Sequence, residues 1–149
     1  MPAYRTIVVG TDGSATSLSA VDRAASVAAD SDAELVIVCA YTPASRDETA
    51  GAEDALKDEA YLVVGWTPAE ETLRTAEDRA VAAGAGKVRT VAADGAPVDV
   101  LRKVVEDSRA DLLVVGNKGL NTLSGRLLGS VPSDVARRSG VDVLIVHTT

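Results

Sequence analysis

An α/β fold built on a parallel sheet follows from two features of the chain. Short apolar, β-branched runs, Thr6–Gly10, Leu35–Ala40 and Asp111–Gly116 among them, have the composition of strands buried on both faces. Between them lie stretches whose apolar residues recur every three or four positions, the stripe of an amphipathic helix. This alternation implies parallel strands, right-handed crossovers and helices on both faces of the sheet. The 149 residues read as one domain, residues 1–149, long enough to bury roughly 70% of the unfolded surface without metal or disulfides.

Taken in order, Thr6-Ile-Val-Val-Gly10 is the first strand, and Thr11-Asp12-Gly13-Ser14 breaks it. Leu18, Val21, Ala25 and Ala28 mark a helix that ends near Asp30, and Leu35 to Ala40 is the second strand, broken by Pro43. Ser45 to Gly51 reads as loop. Ala52 to Val64 has a partial helical face, diluted by Glu53, Asp54, Asp58 and Glu59. A connection this long is a functional flap or a surface insertion. Thr67-Pro68-Ala69-Glu70 combines a Thr cap, a Pro at the first helical position and a Glu three residues after the cap. Leu73, Ala76, Ala80 and Ala83 form the buried stripe of that helix, and Gly84 ends it. Val88 to Val91 has the mixed polarity of a sheet-edge strand. Gly95-Ala96-Pro97 starts the next helix, with Val98, Leu101 and Val105 as its core residues. The buried strand Asp111–Gly116 follows, then a glycine-rich loop and a helix from about Ser130 to Ser139. Arg137 and Arg138 complement the negative end of that helix before Gly140. Val141 to Val146 is the fifth strand.

The net charge of −7 argues against a general binder of nucleic acid or anionic membrane, while leaving room for a small anion in a locally positive pocket. Cys39 is the only cysteine and sits in an apolar run, as a buried structural thiol does; no internal disulfide can form, which suits a reducing compartment. The first residues lack a signal-peptide pattern, and no apolar run approaches the roughly 18 residues of a membrane span. The expected location is cytoplasmic.

Ligands of parallel sheets sit at the carboxyl ends of the strands, where the winding direction reverses. If the first and fourth strands are central neighbours, Thr11-Asp12 and Gly116-Asn117 meet there. The fourth strand stops at Gly116, and the loop that follows carries Gly119, Gly125 and Gly129 before Ser130 opens a helix. Glycines let backbone N–H groups converge on an anion, and the positive helix end adds attraction. This is the pattern of a phosphate cradle. Lys118 and Arg126 either offset phosphate charge there or are solvated loop cations. Two roles fit Asp12: a carboxylate that accepts hydrogen bonds from a ribose diol or holds a metal, or a turn residue that helps cap the first helix. The chain has no Gly-x-x-x-x-Gly-Lys-Ser/Thr loop and no Gly-x-Gly-x-x-Gly after the first strand. Its single histidine, His147, reads as a terminal polar residue and not as part of a triad. Neither a metal cluster nor a paired-carboxylate site can be read, and no general base is poised to activate water.

Val-Val-Gly-Thr-Asp-Gly-Ser at residues 8–14 resembles the universal stress protein family. So does Gly116-x-x-Gly119, nine residues, Gly129-Ser130, the nucleotide motif of that family, and so does the closing Val-Asp-Val-Leu-Ile-Val. The resemblance spans about Tyr4 to Thr148. It implies a Rossmann-like three-layer sandwich of the adenine nucleotide alpha-hydrolase-like type, with a five-stranded parallel sheet ordered 3-2-1-4-5. It also implies an adenine nucleotide in the crevice. By position, Asp12 would take the ribose with Gly10 and Thr11 beside it. The backbone around Ala40 would meet adenine, and Gly116, Gly119, Gly129, Ser130 and Val131 would surround the phosphates. A homodimer through antiparallel pairing of Val141 to Val146 is a further implication.

One departure bears on the ligand. Where ATP-binding members carry Ser or Thr two residues after the motif serine, this chain has Pro132, which offers neither N–H nor hydroxyl to the outer phosphates. Pro132 either simply starts the helix well or marks a pocket that favours AMP or cyclic AMP over ATP, with magnesium relevant only to ATP. The expected function is a non-catalytic sensor or buffer of adenine nucleotide. The alternatives are a weak ATPase or autophosphorylating protein that uses Asp12 with a metal, and a partner-binding scaffold without nucleotide.

Overall fold

Strand β1, Thr6–Gly10, is the centre of the sheet, because its run of Ile7, Val8 and Val9 is fully buried and both of its edges are paired. The computed structural model describes residues 3–42, 63–64, 66–116 and 141–147. Within them follow α1 (Ala15–Ser31), β2 (Glu34–Thr42), β3 (Val63–Val64), α2 (Trp66–Ala82), β4 (Lys87–Asp94), α3 (Pro97–Ser108), β5 (Leu112–Gly116) and β6 (Asp142–Val146). All pairings are parallel, and the five longer strands lie in the order β4-β2-β1-β5-β6. Counted among those five in chain order, this is 3-2-1-4-5, as the resemblance implied. No helix among the described residues is long and apolar enough to cross a membrane.

Successive strand residues face opposite sides, so each strand feeds two cores. Ile7 and Val9 of β1, Leu35, Ile37 and Cys39 of β2, and Leu112 and Val114 of β5 pack with α1 and α2. Val8, Val36, Val38, Ala40, Leu113 and Val115 pack with α3. The stripe of α1 is rich in alanine (Ala20, Ala24, Ala25, Ala28), and that of α2 likewise (Ala69, Ala76, Ala80), so helices with small side chains cover that face closely.

Several expected boundaries shift. Strand β2 runs two residues past Ala40, because Tyr41 pairs with Asp94 on one edge and Val63 on the other, and Thr42 pairs with Val64. Val63 and Val64 are therefore strand and not the end of a helix; the rest of the expected Ala52–Val64 helix lies outside the described residues. Helix α2 begins at Trp66, so Thr67 is inside the helix and is not its cap. Strand β4 is longer than Val88–Val91, with every residue from Lys87 to Asp94 paired to β2. It is an edge strand among the described residues, as its polarity indicated. In α3 the buried stripe is Pro97, Val100, Leu101, Val104 and Val105, while Val98 flanks it half-buried.

At the amino ends of the strands, one carboxylate joins β1 to β5. Asp111 accepts the N–H of Arg5 (3.0 Å) and of Thr6 (3.1 Å), and its own N–H donates to the carbonyl of Thr6 (3.0 Å). Hydrogen bonds to a charged acceptor are worth more than neutral ones. Asp111→Ala is expected to lower stability by about 1–3 kcal/mol in urea unfolding. An unchanged unfolding midpoint would show that the clamp contributes nothing.

Candidate functional site

Strand β1 ends where Thr11 turns its N–H onto the carbonyl of Val38 (2.9 Å), just past the Gly10–Val38 pairing that closes the β1–β2 register. On the other edge, Val9 pairs with Val114, so two residues further along Thr11 and the buried Gly116 reach the same level of the sheet. The ends of β1 and β5 thus meet in the crevice where strand order reverses. Neighbouring β2 continues beyond both.

The loop after β1 is held by its own polar groups. Asp12 is half-buried, and its Oδ1 accepts the N–H of Ser14 (2.9 Å). Ser14 in turn caps α1, its Oγ accepting the N–H of Ser17 (3.2 Å). The turn role considered for Asp12 is therefore realised by one oxygen. Among the described residues Oδ2 has no hydrogen-bond partner. Gly13 has φ +86°, and a Cβ there would stand 3.2 Å from Thr72 Oγ1 of α2, so the turn requires glycine on both counts.

Beside Thr11 is a narrow cleft of only about 10 Å³ lined by Gly10, Thr11, Val38, Ala40, Pro97 and Leu101. A Cβ on Gly10 would lie 3.2 Å from Leu101 Cδ2, so glycine lets α3 close on the strand end. Gly10, Thr11, Asp12, Ala40 and Gly116 are thus gathered at one end of the sheet. Lys118, Gly119, Arg126, Gly129, Ser130, Val131 and Pro132 lie outside the described residues, as do Arg137 and Arg138. Val38, Pro97 and Leu101 were not read from the sequence as site residues. A Pro opening the helix after β4, at the carboxyl end of the sheet, was the available signal.

Cys39 is fully buried, faces the α1 and α2 side, and its thiol sits 3.8 Å from the carbonyl of Ala40. Burial, followed by the negative charge of Asp12, pushes the thiol up to about 12. His147 is exposed just after β6. Among the described residues, no group of three or more His, Cys, Asp or Glu side chains forms a metal-ligand set.

The sequence model of the universal stress protein family matches residues 3–147. The chain belongs to that family. The universal stress protein Rv1636 of Mycobacterium tuberculosis strain H37Rv is 56% identical over 149 residues, covering all of both chains. A putative universal stress protein of Staphylococcus aureus strain NCTC 8325 is 32% identical, over 99% of this chain and 87% of that one. Among solved structures, a universal stress protein crystallised in complex with cAMP superposes with a TM-score of 0.74 at 51% identity, over 99% of each chain.

For this universal stress protein, the buried thiol makes a direct prediction. Because the thiolate is the reactive form, Cys39 should label with a disulfide reagent at pH 8 at least roughly a hundredfold more slowly in the native protein than in urea. Comparable rates in the two states would contradict the burial.

Proposed function

We propose that this universal stress protein binds an adenine nucleotide across the β1–β5 crevice and acts as a non-catalytic sensor or buffer. The observation that carries the reading is Asp12. One carboxylate oxygen is tied to the Ser14 N–H and the other has no partner among the described residues, beside Gly116, where the complete glycine motif begins. A carboxylate so held accepts the hydroxyls of a ribose. In this reading Gly10 and Thr11 flank the sugar, and the backbone around Ala40 meets the base. Gly116, Gly119, Gly129, Ser130 and Val131 surround the phosphate, with Lys118 and Arg126 supplying positive charge. The cAMP complex of the 51%-identical relative supports a nucleotide with a single phosphate, and so does Pro132, which removes two donors from the end of the cradle. AMP or cyclic AMP is the proposed ligand, ahead of ATP with magnesium.

We further propose that residues 1–149 act as one domain in the cytoplasm and form a homodimer through the last strand, without nucleic acid or membrane as partner. At β6, Ile145 is 42% exposed, and Val143 and Leu144 are half-buried. This is a large apolar surface for an edge strand to leave open, and a second copy would cover it.

Calorimetric titration with AMP, cyclic AMP and magnesium-ATP tests the ligand. A monophosphate should bind at least tenfold more tightly than ATP, and Gly119→Ala should abolish the heat. ATP binding tightest by tenfold would overturn the monophosphate reading, and no heat with any of the three would overturn nucleotide binding.

A further inference from the structure

Two buried hydroxyls lie directly beneath Asp12. Thr11 is 1% exposed and Ser17 is 3% exposed, and their hydroxyl oxygens are 2.8 Å apart. Around them the donors can be traced among the described residues. The Ser17 hydroxyl lies 3.0 Å from the carbonyl of Ser14, and Ser17 Oγ receives the N–H of Asp12 at 3.4 Å. Thr11 Oγ1 receives the N–H of Gly13 at 3.0 Å. A hydroxyl has one proton to give and two lone pairs with which to accept. The arrangement that leaves no buried proton without an acceptor runs in one direction: Thr11 donates to Ser17, and Ser17 donates to the carbonyl of Ser14. Reversed, it would leave the buried Thr11 proton without an acceptor among the described residues.

This chain has a consequence for the loop above it. The N–H groups of Asp12 and Gly13 end on Ser17 and Thr11, and that of Ser14 ends on the Asp12 carboxylate. Three successive backbone donors are thereby satisfied inside the loop, and the N–H of Ser17 is taken by Ser14 Oγ. Among the described residues, only the N–H groups of Ala15 and Thr16 at the start of α1 are left for an outside anion. The α1 side of the crevice is therefore suited to present an acceptor, not to bind phosphate, which leaves the phosphate to the glycine loop after β5.

We propose that Ser17 is the positioning residue that holds Asp12 for the ligand hydroxyls, acting through the Thr11 hydroxyl and the Asp12 backbone. It touches no ligand. Without its oxygen, the Asp12 N–H and the Thr11 proton both lose their acceptor, and the loop must move to find others. This inference rests on the nucleotide reading above, with Asp12 on the ribose.

A double-mutant cycle in the full-length protein tests it, using Ser17→Ala, Asp12→Ala and the two combined. Affinities are read by calorimetry for AMP against 2′,3′-dideoxy-AMP, and for cyclic AMP against its 2′-deoxy form. Ser17→Ala should weaken the hydroxyl-bearing nucleotide about tenfold, leave the deoxy analogue unchanged, and add nothing in the Asp12→Ala background. Equal loss for both nucleotides, or additive losses in the double variant, would overturn the positioning role while leaving nucleotide binding intact. Failure of the unmutated protein to bind either AMP or cyclic AMP would overturn the nucleotide reading itself, and this inference with it. Should Ser17→Ala not fold, Ser17→Cys, whose thiol is a weaker donor and acceptor at the same place, enters the same cycle with the same direction of effect expected.

Discussion

The structure depends on β1 being paired along both edges and buried on both faces. Five residues suffice because Ile7, Val8 and Val9 place apolar side chains alternately into the two cores, while β2 and β5 take up the backbone. Each buried aliphatic side chain contributes on the order of 1.5–3 kcal/mol. A strand so placed cannot shift by one residue, since that would exchange the two core faces. The end of β1 is fixed with equal firmness, and with it the position of Thr11 and Asp12 beside Gly116. The fold therefore delivers the ends of β1 and β5 to one crevice before any ligand chemistry is considered.

Around that strand, the two ends of the sheet use the same polar vocabulary differently. At the amino end, Asp111 spends both carboxylate oxygens on the N–H groups of Arg5 and Thr6 and serves the fold. At the carboxyl end, Asp12 spends one oxygen on Ser14, and the other has no partner among the described residues. Two aspartates, each beside the central strands, thus differ in how much of their hydrogen-bonding capacity the chain itself consumes. The unspent part lies at the end of the sheet where the nucleotide is proposed to bind.

How much of this was legible in the sequence follows from the same physics. The runs of β1 and β5 were readable because burial on both faces demands unbroken β-branched residues, and their ends at Gly10 and Gly116 needed no tertiary information. Strand β4 was read short, because an edge strand tolerates Lys87 and Asp94 at its ends, and only its partner β2 shows that they are paired. Val98 was taken as core in place of Val100 and Val104, since a helix rich in valine offers more than one apolar stripe and packing chooses between them. Start signals at Thr67 lost to the backbone pairing of Val63–Val64, which sets where the chain enters α2 at Trp66. In the proposed site, Gly10, Thr11 and Asp12 were read from their loop and family pattern. Ser17 was not: a serine in the first turn of a helix has no distinguishing pattern until the fold turns Thr11 back onto it. Pro97 and Leu101 were missed for a similar reason, their approach to Gly10 being a long-range contact.

The central claim is that the nucleotide occupies the carboxyl-end crevice with its ribose on Asp12. The most direct measurement is a ¹H–¹⁵N correlation spectrum of the full-length protein titrated with cyclic AMP and AMP. The account predicts that shift changes concentrate at Gly10 to Ser14, Val38 to Ala40, Leu101 and Gly116, while Arg5, Asp111 and Asp142 at the opposite end stay fixed. Perturbations centred on the amino end of the sheet, or a saturating ligand that leaves Asp12 and Gly116 unmoved, would contradict it.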